Sequence, residues 1–104
     1  MRPVRFDPGA AEELSEALDW YAQRGPGLPF RLIEELDAAL EQVRHHPDRY
    51  AALEVPRMEP PLRRVLLRRF PYAVIYCVLS DEVRVIALAH ASRRPLYWTD
   101  RLDG

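Results

Sequence analysis

The sequence predicts an α+β domain, a helical hairpin packed on a mainly antiparallel sheet of about four strands, and three observations predict it. Two apolar stripes at helical spacing fill the first half of the chain, joined by Gly25-Pro26-Gly27. A stretch with Pro47, Pro56, Pro60 and Pro61 separates them from the second half. That second half alternates apolar and polar residues in short runs, the period of half-buried strands.

Val4-Arg5-Phe6 is a short alternation that supplies a first strand. It stops at Asp7-Pro8, where Asp can cap a helix and Pro fits its first position, so a helix is expected from about Pro8 to Arg24. Ala11, Leu14, Leu18 and Tyr21 form its apolar face, and Glu12, Glu13, Glu16 and Asp19 read as its solvated one. A second stripe, Phe30, Ile33, Leu36, Leu40 and Val43, marks a helix of about 18 residues that ends at His45-His46-Pro47. A tight turn between two such stripes makes them an antiparallel hairpin. Residues 47–61 then form an irregular surface connection.

Three strands follow. Arg63 to Phe70 alternates basic and aliphatic residues, Tyr72 to Leu79 is apolar on both faces and so central, and Val83 to Ala89 comes after the turn Ser80-Asp81-Glu82. Pro95 to Leu102 is expected to form a short terminal helix. With 104 residues, 48% of them hydrophobic, the chain can bury one core and is too short for two, so residues 1–104 are expected to be a single domain.

Composition narrows the classes of function. There is no run of about 18 apolar residues and no apolar N-terminal stretch, so a membrane role and secretion are not indicated and a cytoplasmic location is expected. The lone Cys77 lies within an apolar strand pattern and reads as a core residue. The net charge of -1 conceals an asymmetry: residues 1–61 carry 7 Arg against 12 Asp and Glu, and residues 62–104 carry 8 Arg against 4. The basic half should face a polyanion or an acidic partner. All 15 basic residues are arginine, which coding bias explains as well as selection for bidentate donors.

Function is to be sought at the end of the last strand, where His90, Arg93, Arg94, Tyr97 and Trp98 fall within nine residues, a composition that packing does not demand. Rings beside guanidinium groups and a histidine suit base stacking and phosphate binding, and equally a protein interface. His90 can serve as general acid or base, or bond a carbonyl at the sheet rim. Arg63, Arg64, Arg68 and Arg69 alternate across their strand and hold phosphates or an acidic partner, or else keep an edge strand soluble. His45 and His46 point to different sides of a helix with no further ligand at metal spacing, so no metal site and no cofactor are expected.

Arg64, the run Phe70-Pro71-Tyr72-Ala73-Val74-Ile75-Tyr76, the strand Val83 to Ala89, the ending His90-x-x-Arg93-x-Pro95-x-Tyr97-Trp98 and the pair Trp20-Tyr21 together resemble the ParE/RelE superfamily of bacterial toxins. The resemblance spans almost the whole chain. It implies a toxin of a type II toxin–antitoxin (plasmid stabilisation) system, bound by a ParD-like or similar antitoxin whose segment folds on binding, with operator DNA contacted only through the antitoxin. It also leaves room for a homodimer.

The superfamily implies two activities. ParE-type members bind DNA gyrase without performing chemistry; RelE-type members cleave mRNA on the ribosome. RNA cleavage would cast His90 as base or acid, Arg64 and Arg93 as phosphate holders, and Tyr97 as stacking ring or proton donor. Protein binding would instead use Arg63, Arg68, Arg69, Arg94, Trp98, Trp20 and Tyr21 as contacts. RelE-type toxins are typically rich in lysine and strongly basic, whereas this chain has no lysine, so the expectation is a ParE-like gyrase inhibitor, with the nuclease as alternative and an inactive interaction module as a further one.

Overall fold

The computed structural model describes residues 2–53 and 59–103. Pro56, assigned to the surface connection from the sequence, lies outside the described residues. The elements in order are β1 (Val4–Phe6), α1 (Pro8–Ala22), α2 (Leu28–His45), β2 (Leu62–Leu66), β3 (Tyr72–Val78), β4 (Val83–His90) and a 3₁₀ helix (Thr99–Asp103). The sheet order is β1-β4-β3-β2, with β1 parallel to β4 and the other pairs antiparallel. This is the expected α+β layering, a hairpin over a mainly antiparallel sheet.

Several boundaries move, each for a physical reason. α1 buries Ala10 and Ala17 while Ala11 is exposed, so the buried stripe is turned one residue from the expected one. α2 begins at Leu28, and Leu32 takes the buried position expected of Ile33. Phe30 is 73% exposed and Ile33 39%. β2 stops at Leu66, so Arg68 and Arg69 lie in the turn to β3, held there by their amides, which both donate to Glu35 Oε1 of α2. The C-terminal helix is shorter than expected: residues 91–98 are turns, and only Thr99–Asp103 is helical.

Asp7 does not cap α1 with its side chain. Its carboxylate is drawn instead to Arg84, which donates from Nε at 2.7 Å and Nη2 at 2.8 Å, so the pair is bidentate and largely buried. Arg84 is thereby held charged, its affinity for the proton raised first by the bond to Asp7.

The sheet buries both faces. On one, Val65, Val74, Tyr76, Val85 and Leu88 pack against Leu32, Leu36, Leu40 and Ala17 of the hairpin. On the other, Leu62, Ile75, Cys77, Ile86 and Ala87 are covered by Trp98 from the C-terminal segment. A bulge in β4 decides which residues go where. Ile75 pairs with Ala87 and Tyr76 with Val85, leaving Ile86 unpaired, so Ile86 and Ala87 both face Trp98. Leu88 is thereby brought onto the helical side, with Val83 and Val85, where unbroken alternation groups it with Ile86.

Tyr76 is fully buried under the hairpin, and its hydroxyl has no hydrogen-bond partner among the described residues. Burial pushes its phenol up to about 12, partly opposed by Arg63. Because the folded value lies above the ordinary 10, the neutral phenol stabilises the fold fully below pH 10, and this contribution is lost as pH rises through about 12. Tyr76→Phe is expected to raise stability at pH 7 by about 1 kcal/mol, since it removes an unsatisfied hydroxyl. It should also flatten the loss of stability between pH 10 and 12, as urea denaturation at pH 7 and pH 11 would show.

Candidate partner cleft

β4 ends at His90 beside the start of β3 at Tyr72, and the chain after His90 folds back across the sheet. Two clefts result. One, about 430 Å³, lies on the face away from the hairpin, with Ala73, Ile75, Ala89 and Trp98 as its floor and Arg64, Leu66, Arg93, Arg94 and Leu96 about its rim. The other, about 390 Å³, lies between α1 and the end of β4, lined by Glu13, Glu16, Trp20, Tyr21, Tyr72 and Leu88. Tyr72, His90, Arg93 and Tyr97 line both and form the wall between them.

Arg64, His90, Arg93 and Tyr97, singled out from the sequence for RNA chemistry, therefore border one cleft. Their bonds are internal. Ser92 N–H donates to His90 Nδ1 at 3.0 Å, which makes Nδ1 an acceptor and leaves the ring proton of the neutral imidazole on Nε2. The Ser92 hydroxyl lies 2.8 Å from the same nitrogen. The ring meets Tyr72 edge-on at 5.0 Å. Tyr97 donates its hydroxyl to Glu13 Oε2, and burial first, then that bond, holds its phenol well above the usual range. The Arg93 guanidinium lies 4.0 Å over the Tyr97 ring, a cation–π contact.

The residues singled out for partner binding divide. Arg68, Arg69 and Arg94 are exposed and form no ion pair among the described residues. Arg63 is held by the chain, donating to Tyr50 O at 2.6 Å and lying 3.6 Å from Asp48. Trp20 is half exposed, with Arg24 stacked 3.4 Å over its ring. Tyr21 sits in a ladder of edge-on rings with Trp20, Phe70 and Tyr72. Trp98 is 3% exposed, because the fold-back at 91–98 turns its ring onto the sheet, where it packs in the core and also floors the first cleft.

Glu13 is the residue that sequence reasoning missed. Read as part of a solvated face, it is instead three residues after Ala10 and four before Ala17, on the flank of the buried stripe. Its carboxylate accepts from Leu88 N at 3.0 Å and from Arg101 Nη1 at 2.9 Å as well as from Tyr97. Exposed Phe30, Ile33 and Leu66 were likewise not read as surface. Among the described residues, no three side chains cluster as metal ligands, and no helix is long and apolar enough to cross a membrane.

Comparison with known proteins gives the same fold. A family model described as the ParE toxin of type II toxin–antitoxin system, parDE, matches residues 4–95. A solved structure described as the chromosomal ParDE TA system from P. aeruginosa superposes with a TM-score of 0.69 at 19% identity, covering 88% of this chain and 98% of that one. No curated protein matches the sequence significantly.

Proposed function

The chain belongs to the ParE toxin family of type II toxin–antitoxin systems, and from that premise we propose that it inhibits growth by binding DNA gyrase, without chemistry of its own, and is neutralised by a cognate ParD-like antitoxin. The observation that carries this reading is the engagement of Tyr97. A nuclease needs a side chain free to hand over a proton, and this hydroxyl is bonded to the Glu13 carboxylate, with its phenol held well above the usual range. Exposed Arg64, Arg93 and Arg94 around an apolar floor suit an antitoxin segment that is acidic and apolar by turns.

The ribosome-dependent mRNA endonuclease is the second reading, favoured by the convergence of Arg64, His90, Arg93 and Tyr97 on one cleft. Induced expression of the chain alone in a bacterium separates the two. A DNA damage response with intact mRNA, together with inhibition of purified gyrase in a supercoiling assay, is the expected result. General acid–base catalysis is worth about 10²–10⁴ in rate, so cleaved mRNA whose cleavage falls by that factor in His90→Ala and Arg93→Ala would overturn it. Growth unaffected by the chain would leave only an interaction module.

A further inference from the structure

We infer that Glu13 is a positioning residue: with Arg101 it takes the place of a missing strand along the outer edge of β4 and so holds segment 91–101 as the wall of the cleft. The functional part of this inference rests on the cleft being the partner site. β1 ends at Phe6, opposite Val85, and one further backbone bond, Asp7 N to Val85 O at 2.9 Å, extends that ladder. Beyond it, no strand among the described residues covers β4, and an uncovered edge leaves donors and acceptors unpaired.

Side chains complete the ladder. Arg101 Nη1 donates to Ile86 O at 3.0 Å, and Glu13 Oε1 accepts from Leu88 N at 3.0 Å, so a guanidinium and a carboxylate supply the donor and acceptor that a neighbouring strand would have offered. The two substitutes bond each other, Nη1 to Oε1 at 2.9 Å and Nη2 to Oε2 at 3.1 Å. Arg84, already on Asp7, reaches Arg101 O at 3.2 Å. α1, β4 and the C-terminal segment are thereby joined at one carboxylate.

Two further features show that the segment is held rather than merely resting. Leu96 has φ 62, a left-handed conformation that a bulky side chain rarely adopts and that persists only when its surroundings impose it. The residues that impose it follow directly: Tyr97, bonded to Glu13, and Trp98, buried on the sheet. Gly9 on α1 leaves room for Arg101, since a Cβ there would meet the guanidinium carbon at 2.7 Å. Arg93, stacked on Tyr97, takes its place at the cleft rim through the same chain of contacts. Glu13 thus orients the basic rim through Tyr97.

Hydrogen exchange on the purified chain tests this, with growth arrest on induced expression as the second readout. Glu13→Ala is expected to speed exchange in 91–101 by on the order of tenfold or more, the loss of charge-assisted bonds, while β3 amides keep their protection. Glu13→Gln retains an acceptor for Leu88 and Tyr97 and should fall between. Growth arrest should weaken in the same order, and Glu12→Ala, exposed and outside both clefts, should change neither readout.

Unchanged exchange in 91–101, or equal loosening of 91–101 and β3, would overturn the inference, as would full arrest with a loosened segment. Should Glu13→Ala not fold, Glu13→Gln and Arg101→Gln carry the same comparison. Absence of arrest by the unaltered chain would refute the toxin reading alone, and exchange would still decide whether Glu13 holds the segment.

Discussion

Asp7→Ala is expected to lower the unfolding free energy by about 3–5 kcal/mol, the usual cost of leaving one partner of a buried ion pair without the other. Arg84 would keep its charge with only the weaker bond to Arg101 O and the Glu82 carboxylate, already paired with Arg5, to offset its burial. In a chain of 104 residues, each kcal/mol corresponds to roughly 4–8 °C in Tm, so thermal unfolding should shift down by more than about 12 °C. Replacing both partners with apolar residues of similar volume, as in Asp7→Leu with Arg84→Met, should recover much of the loss, because the desolvation of both charges is then removed. A loss below about 1 kcal/mol in Asp7→Ala would mean that the pair behaves as a surface ion pair.

Trp98→Ala is the second large effect, with an expected cost of about 3–5 kcal/mol for emptying a buried aromatic site. Trp98 covers Ile75, Cys77, Ile86 and Ala87, so its loss would also open that face of the sheet and release the segment that carries Arg93 and Arg94. Urea denaturation would give the energy, and Trp98→Phe should cost clearly less because it retains most of the ring. Wild-type stability in Trp98→Ala combined with weakened antitoxin binding would place the residue on the partner surface. The expected result is the opposite, a large stability loss with binding affected only through the displaced segment.

Both effects fall on residues whose roles were hard to see from the chain alone. Asp7 before Pro8 has the pattern of a helix cap, and its pairing with Arg84, 77 positions away, depends on β1 lying parallel to β4. Trp98 follows a histidine and arginine cluster that resembles a binding surface, and only the fold-back at residues 91–98 shows that its ring faces inward. Glu13 sits among other acidic residues on α1, yet its spacing from Ala10 and Ala17 was a signal that it flanks the buried stripe.

Fold class, element order and the proximity of His90, Arg93 and Tyr97 are legible in the chain alone. Those features are local: Gly25-Pro26-Gly27 breaks a helix wherever it occurs, alternation writes a strand whatever its neighbours, and His90, Arg93 and Tyr97 lie close because they are close in the chain. Tertiary structure decided the rest. Which edge of β4 lacks a strand, how the unpaired Ile86 shifts the residues after it, and which carboxylate meets Leu88, Tyr97 and Arg101 are questions of register and of contacts between distant residues. A one-residue shift in a strand moves a side chain to the other face without changing composition or average periodicity, so the chain alone could not fix the wall of the cleft.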